Sequence, residues 1–251
     1  MATAVAQPLK AGSIAPRRGF DHLFFSGMAV LILVTVFVGF ARTYYLAGVF
    51  SAHLPARIIH FHGAAFSLWV LLLVTQTSLV AANRVDIHRR LGVFGFLLAC
   101  TMVILGVLAA TNALSRGFAP PGLDPQTFYV IPITDMLIFS TLIFFAFRNR
   151  LDSAAHKRLI LIATVALLIA AIARWPFAFV ERKPIPATFI SYIFLLMLVG
   201  YDLWSLRKVH RATIWGAVFL VVVQQVRVPL GQTAVWHRFA DWAQQLGRSL
   251  S

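Results

Sequence analysis

The chain has 251 residues, of which 60% are hydrophobic and only 12% are charged. A soluble domain carries about 25% charged residues, so the composition excludes an ordinary soluble globular protein. The charged residues form short clusters between apolar runs of about 18–24 residues, which is the length that a helix needs to cross a bilayer. We therefore predict an all-α fold, a polytopic membrane helix bundle with seven transmembrane helices.

The net charge of +14 comes from 22 basic and 8 acidic residues. In a soluble protein such an excess would indicate nucleic-acid binding. Here most basic residues lie in short predicted loops, where they set the orientation of the spans and contact anionic lipid head groups. No basic segment outside the spans is long enough to bind a duplex, so we expect membrane lipids as partners and exclude nucleic acid.

The chain divides into three predicted parts: a flexible N-terminal tail over 1–20, a seven-helix transmembrane domain over 21–231, and an interfacial amphipathic tail over 232–251. The first part has no apolar period. The last part places apolar residues at helical spacing, which indicates a short helix on the membrane surface. The seven predicted spans are 23–41, 58–82, 91–113, 128–147, 159–180, 187–206 and 213–230.

The orientation of the bundle follows from the distribution of Lys and Arg, which are enriched in cytoplasmic loops. With the N-terminus inside, 13 of the 22 basic residues fall in inner segments. They are Lys10, Arg17, Arg18, Arg84, Arg89, Arg90, Arg148, Arg150, Lys157, Arg158, Arg207, Lys208 and Arg211. We therefore predict an inside N-terminus and an outside C-terminus.

A basic phrase that contains one histidine precedes four of the predicted spans. Its clearest copies cover residues 83–91 and 149–159, and looser copies cover 17–23 and 206–211. Because each copy precedes a span that enters from the same side, the phrase places four histidines at the predicted inner face. They are His22, His88, His156 and His210.

Two interpretations of these histidines are open. Facing histidines can bind haem or a metal ion, and His88 and His156 are then the candidate metal ligands. Alternatively, the acids Asp21, Asp86 and Asp152 favour the helix starts and the neighbouring cations anchor the spans, so that the histidines have no ligand role. All four histidines precede their apolar runs, so we favour the second interpretation.

Two ionisable residues interrupt apolar spans near the predicted outer face. Arg174 lies about 9 Å below the outer end of the fifth span, and Asp135 lies about 10 Å deep in the fourth, by the helical rise of 1.5 Å per residue. An unpaired Arg inside a span would cost about 2.5–3.5 kcal/mol, so we predict an Asp135–Arg174 ion pair. Such a pair can hold two helices together or form part of a binding site.

The second span begins at the same face with His60 and His62. Two positions apart on a helix, their side chains point about 200° apart, so the pair cannot bind one metal ion. His62 shares a helical stripe with Gln76, and we predict that this stripe faces the interior. The candidate ligand-binding residues at the outer face and on this stripe are His60, His62, Gln76, Asp135, Arg174, Arg42 and Arg227.

Motifs in the second to fifth spans carry a family resemblance. They are the run from His60 to Gln76, the sequence His-Arg-Arg-Leu-Gly over 88–92, and His-Lys-Arg-Leu over 156–159 followed by Arg174. This pattern resembles a group of uncharacterised bacterial polytopic membrane proteins, which implies a bacterial cytoplasmic (inner) membrane location and no particular activity. A looser similarity is to b-type cytochrome membrane domains, whose helices carry paired haem-ligating histidines, although no histidine here lies in mid-span.

Three functions remain open at this point. The first is a multi-pass membrane protein with a cationic ligand site in the outer leaflet half, for an anionic head group, a quinone or a similar molecule, with or without redox chemistry. The second is a membrane subunit that carries electrons through haem b. The third is a non-catalytic structural or partner subunit of a membrane complex. No metalloprotease, P-loop, dinucleotide or serine-nucleophile motif occurs, so the sequence assigns no reaction.

Overall fold

The computed structural model describes residues 18–50 and 57–249, and residues 1–17 of the predicted N-terminal tail lie outside the described residues. The described residues form helices and no strand. A π-helical turn over Ala41–Tyr45 follows the first helix. The helices are α1 (Arg18–Phe40), α2 (Arg57–Ala81), α3 (Val85–Ser115), α4 (Pro125–Arg148), α5 (Ser153–Ala166), α6 (Leu168–Ile172), α7 (Pro184–Leu206), α8 (Arg211–Gly231) and α9 (Ala234–Ser249).

Within the described residues, seven helical segments are long and apolar enough to cross a membrane. They are formed by α1 with its π-helical turn, α2, α3, α4, α5 together with α6, α7, and α8. This result confirms the predicted all-α membrane bundle, which is that of a multi-pass membrane protein.

The fifth segment differs most from its prediction, which placed it over 159–180. It runs over Ser153–Ile172, with a turn at Leu167 between α5 and α6. The helix ends before Pro176, because proline lacks the N–H group that continues a helix and disfavours helical backbone in the preceding residue. Arg174 therefore lies beyond the helix and not within it.

The start of α5 shows the helix-start role that the sequence predicted for Asp152. The carboxylate of Asp152 accepts hydrogen bonds from the backbone amides of Ala154 at 3.0 Å and Ala155 at 3.2 Å. These amides have no partner within the helix, so the cap satisfies groups that would otherwise be unpaired. Asp86 lies instead within the first turn of α3 and is 3.7 Å from Arg84.

The helix ends lie at two faces of the bundle. We call the end at which α1, α3, α5 and α8 begin the N-terminal face, and the other end, which also carries α9, the opposite face. An ion pair of 2.9 Å between Lys157 at the start of α5 and Asp21 at the start of α1 joins two of the helix starts. The four histidines of the basic phrase all lie at the N-terminal face.

The segment formed by α5 and α6 lies at the centre of the bundle. In its most apolar window 72% of the residues are buried, and α4, α7 and α8 pack against α5 while α1 packs against α6. Trp69 of α2 reaches this centre, where its indole N–H donates to the Thr164 hydroxyl at 3.2 Å. Its ring meets Phe139 edge-on with centroids 5.2 Å apart, a favoured geometry for aromatic pairs.

The last helix, α9, lies against the opposite face. Ala240 is fully buried where α9 packs against α3 and α4. The Gln244 side chain donates to the Leu114 carbonyl, and the Trp236 indole donates to the Gln126 carbonyl, both at 2.8 Å. These contacts confirm the short helix predicted after residue 232 and show that one side of it packs on the bundle.

Close packing of α1 on α6 depends on Gly39, where an added Cβ atom would overlap the carbonyl oxygen of Ala171. We predict that Gly39→Ala lowers the free energy of unfolding by about 1–3 kcal/mol, because the two backbones must separate. The control is Gly27→Ala in the same helix, where a Cβ atom would meet no atom within 4 Å.

At Gly27, alanine should stabilise the protein by up to about 1 kcal/mol through its higher helix propensity. Thermal and SDS-induced unfolding of the purified protein measure both effects. Equal responses to the two substitutions would contradict the close contact between α1 and α6.

Candidate ligand-binding site

A cavity of about 1070 Å³ opens at the N-terminal face. Polar residues from the helix starts and loops, including Asn83 and Arg150, line its mouth. Its deepest part reaches Trp69, which lies about 18 Å from the end of α2 by the rise of 1.5 Å per residue. The cavity thus extends from the membrane surface to the middle of the bundle.

The four histidines of the basic phrase, His22, His88, His156 and His210, all line this cavity. They come from the starts of α1, α3 and α5 and from the residue before α8. The preferred interpretation of the sequence treated them as residues tolerated at helix starts and did not anticipate a shared cavity. Packing of four helix starts around one space brings them together.

Two of these histidines are neighbours. The ring centroids of His88 and His156 are 6.5 Å apart, and the rings are nearly perpendicular, at 87°. His156 Nδ1 lies 2.8 Å from the Ala146 carbonyl oxygen. A carbonyl can only accept, so Nδ1 carries a proton, and in the neutral form of the ring the lone pair is on Nε2.

Among the described residues, eight buried side-chain N and O atoms have no hydrogen-bond partner, and three of them belong to residues that line this cavity: Ser26 Oγ, Gln76 Oε1 and His88 Nδ1. Buried polar atoms are normally paired, and leaving one unpaired costs about 1–3 kcal/mol. The three atoms beside the cavity are candidates for hydrogen bonds to a bound molecule.

A buried ion pair between Arg158 and Asp202 supports the wall of the cavity. Arg158 Nε and Nη2 donate to the same carboxylate oxygen of Asp202 at 2.9 and 2.5 Å, and the two side chains are only 2% and 0% exposed. The other carboxylate oxygen accepts from the Thr213 hydroxyl at 2.6 Å and from the His210 backbone amide at 3.0 Å. Four hydrogen bonds therefore join α5, α7 and the start of α8.

The sequence prediction missed Asp202, although a signal for it exists. This acid lies within the predicted sixth span, where an ionisable residue requires a partner. Arg158 comes directly before the predicted fifth span. Because the two spans approach the same face, the charges could have been paired from their positions alone.

A second polar contact links α1 to this wall. Asp21 is 2.9 Å from Lys157 and accepts a hydrogen bond of 2.5 Å from the Tyr201 hydroxyl. The Tyr201 ring stacks on Phe24, with centroids 4.0 Å apart. The start of α1 is therefore fixed to α5 and α7 beside the cavity.

The mouth of the cavity carries positive charge that acidic residues do not neutralise. Lys157 and Arg158 are paired, but Arg89 and Arg150 form no ion pair within the described part of the chain. The Arg150 guanidinium lies 4.8 Å from the centre of the Phe147 ring. Both free arginines can contact an anion that enters the cavity.

His210 contributes polarity without charge. Burial lowers the pKa of His210 below its usual range, and the nearby Arg158 guanidinium acts in the same direction. Its Nδ1 accepts a hydrogen bond of 3.1 Å from the Ala212 amide, the N-cap of α8. An acceptor nitrogen carries no proton, so the hydrogen bond agrees with a neutral ring.

The predicted Asp135–Arg174 ion pair is wrong. Asp135 pairs with Arg227 of α8 at 2.7 Å, and Arg227 is only 3% exposed. Arg174 is exposed and donates to the Ala170 carbonyl, with its guanidinium 4.9 Å from the centre of the Phe40 ring. The early end of the fifth segment explains the difference, because it places Arg174 outside the helix from which its depth was calculated.

The other predicted ligand residues make contacts outside the cavity, where His62 and Arg174 are close enough to interact electrostatically. The backbone carbonyl of His60 accepts from the Tyr44 hydroxyl at 3.2 Å, and the guanidinium of Arg42 lies over the Phe50 ring. The ring of His62 lies 4.1 Å from that of Phe66.

The stripe that begins at His62 does face the interior, as predicted. Trp69 and Leu73 on this stripe are buried, and both line the cavity together with Gln76. Of the seven predicted ligand-binding residues, Gln76 alone lines this cavity.

No group of three or more His, Cys, Asp or Glu within the described residues is arranged to hold a metal ion. The pair His88 and His156 therefore lacks a third protein ligand of these types there. A metal bound by this pair would need its remaining ligands from elsewhere.

A double-mutant cycle tests the observed partner of Asp135. We predict that Asp135→Leu or Arg227→Leu alone costs about 3–5 kcal/mol of unfolding free energy, because each leaves a buried charge unpaired. The double variant should regain much of that loss, with a coupling energy of about 0.5–3 kcal/mol.

The matched control combines Asp135→Leu with Arg174→Leu, and here the effects should add within about 0.5 kcal/mol. SDS-induced unfolding gives all the values. Coupling of Asp135 to Arg174 without coupling to Arg227 would contradict the observed pairing.

Comparisons with known proteins add no assignment to this site. Models of protein families, curated proteins and solved structures give no match to the chain. The resemblances suggested by the histidine and arginine motifs therefore stay predictions. The geometry of the chain itself carries the functional argument.

Proposed function

We propose that this multi-pass membrane protein binds an amphipathic anion in the cavity at the N-terminal face. The observation that carries the proposal is a cavity of about 1070 Å³ with a cationic mouth and an apolar interior. Sites for small molecules commonly measure about 300–1,000 Å³, so the space suits a ligand larger than a few waters.

The apolar body of the ligand would lie against aromatic and aliphatic side chains from four helices. These residues are Phe25, Trp69, Leu72, Leu73, Phe96 and Phe147. Burial of apolar area yields about 25 cal/mol per Å², and flat rings offer large contact surfaces. The deep half of the cavity therefore favours a ligand with a ring system or an acyl chain.

The polar head of the ligand would lie at the mouth, against Arg89 and Arg150. Both guanidiniums are free of acidic partners within the described residues, and guanidinium binds carboxylate and phosphate groups through paired hydrogen bonds. Gln76 and His88, which each have a buried polar atom without a hydrogen bond to the described residues, would orient the middle of the ligand.

This proposal moves the binding site away from the outer leaflet half that the sequence favoured. The Asp135–Arg227 pair near the opposite face is buried and mutually satisfied, which suits a structural role in packing α4 on α8. We also infer that the membrane is the bacterial cytoplasmic membrane, an inference that the resemblance of the motifs supports.

A photoactivatable palmitate with a mid-chain diazirine tests the proposal. We predict that it labels the α2 peptide that contains Trp69 and Gln76, and that Gly92→Phe reduces this labelling more than fivefold by filling the cavity. Gly92 lines the cavity and has no atom nearer than 3.8 Å to an added Cβ. Gly200→Phe, at a glycine with open space in α7, should leave labelling unchanged.

A second pair of variants tests whether the positive charge at the cavity mouth is needed for binding. Arg89→Gln with Arg150→Gln should weaken labelling about tenfold or more, because a charge-assisted hydrogen bond contributes about 1.5–3 kcal/mol. Arg90→Gln with Arg148→Gln removes the same net charge from exposed neighbours that do not line the cavity and should change labelling less than twofold.

Two outcomes would contradict the proposal. One is labelling spread over lipid-facing peptides and insensitive to Gly92→Phe. The other is equal labelling by the palmitate probe and its neutral alcohol analogue, since a neutral head group cannot pair with the two arginines.

A further inference from the structure

We infer that the amphipathic anion is a haem whose iron is bound by His88 and His156. This inference rests on the proposed function, since it names the class of ligand for the same cavity. Unlike the proposed function, the haem inference requires two nitrogen ligands to a metal in addition to the cationic mouth and apolar walls of the cavity. The spacing of the rings, their hydrogen bonds, the count of metal ligands and the cavity lining each support it.

The spacing of the two rings suits one metal between them. Two imidazole nitrogens on opposite sides of a metal lie about 4 Å apart, given metal–nitrogen bonds of about 2.0–2.1 Å. Each ring centroid lies about 1 Å behind its nitrogen, so the centroids of such a pair are about 6 Å apart. The observed centroid distance of 6.5 Å between His88 and His156 is close to this value.

The hydrogen bonds of the two rings also suit ligation. His156 donates from Nδ1 to the Ala146 carbonyl at 2.8 Å, which fixes the ring and leaves Nε2 as a free electron-pair donor. A backbone carbonyl on the second ring nitrogen is a usual support of a metal-bound histidine. The His88 ring also lies close to a backbone carbonyl, that of Gln76, so this ring has a comparable support and one of its nitrogens can be the second ligand.

The choice of haem over a bare metal ion follows from the count of ligands. No third His, Cys, Asp or Glu completes a metal site within the described chain. A haem brings four equatorial nitrogens of its own and needs only axial ligands from the protein, and histidine is a common one. Two histidines that cannot hold a metal ion alone can therefore hold a haem.

The lining of the cavity matches the two sides of a haem. Its porphyrin is a flat apolar ring, for which Phe96, Phe147 and Trp69 offer aromatic surfaces. Its two propionates are carboxylates at one edge of the ring, and Arg89 and Arg150 at the mouth are two cations free of acidic partners in the described chain. One edge of the ring would thus face the membrane surface and the rest would lie between helices.

The other two histidines of the cavity lack the features that support iron ligation. Nδ1 of His210 already accepts a hydrogen bond as the cap of α8. Within the described residues, no ring contact with another histidine places His22 opposite a partner, whereas the His88 and His156 rings are in contact. We therefore assign no iron ligation to His22 or His210.

The test titrates the purified full-length protein with ferric haem and, separately, with iron-free protoporphyrin IX. The wild-type protein should bind one haem per chain and give the absorption and electron paramagnetic resonance spectra of low-spin iron with two nitrogen ligands. His88→Ala and His156→Ala should each lose that low-spin signal and weaken haem binding more than tenfold. His60→Ala, at a histidine that does not line the cavity, should keep both the spectrum and the affinity.

Protoporphyrin IX separates iron ligation from the shape of the cavity. Its binding should change less than threefold in His88→Ala and His156→Ala, which also shows that these variants are folded. Unchanged low-spin spectra in both variants would overturn the inference, and so would failure of the wild type to bind haem. Failure to bind haem together with cavity labelling by the palmitate probe would overturn the haem assignment and leave the proposed function standing.

Discussion

The lack of water inside a bilayer is the constraint on which this structure depends, because every buried polar group must find its partner within the protein. The Arg158–Asp202 contact meets this constraint at the N-terminal face, where one carboxylate accepts four hydrogen bonds. Asp135 and Arg227 meet it in the other half of the bundle. These two pairs join α5 to α7 and α4 to α8, so they fix helices that are distant in sequence.

Buried polar atoms that have no hydrogen-bond partner are exceptions to this constraint. Among the described residues, Ser26, Gln76 and His88 each leave a buried polar atom without a partner and line one cavity, and the other such atoms belong to His62, Asn112, Ser205 and Gln224 outside it. In the surrounding walls, by contrast, Asp21, Lys157 and Tyr201 are joined by direct contacts. Wall residues that pair with one another beside unpaired polar groups are an arrangement that suits a ligand site.

The sequence predicted the parts of this structure that depend on local periodicity and composition. Seven spans, the helix-start role of Asp152 and the inward stripe that ends at Gln76 follow from such patterns. The predicted pairing of Asp135 with Arg174 was wrong because the fifth segment ends before Pro176. The depth of Arg174 had been calculated for a helix that continues past this residue. The cavity was not predictable in this way, since a gap between helices depends on packing that no single helix encodes.

An experimental structure of the protein in nanodiscs prepared directly from the expressing membrane tests the central claim, which is ligand binding in this cavity. The expected result is non-protein density that starts beside Arg89 and Arg150, passes His88 and ends near Trp69. Collapse of the helices onto the cavity, or a water-filled space without any such density, would contradict the claim. This measurement needs no prior choice of ligand, and the shape of the density would itself distinguish a flat ring from an acyl chain.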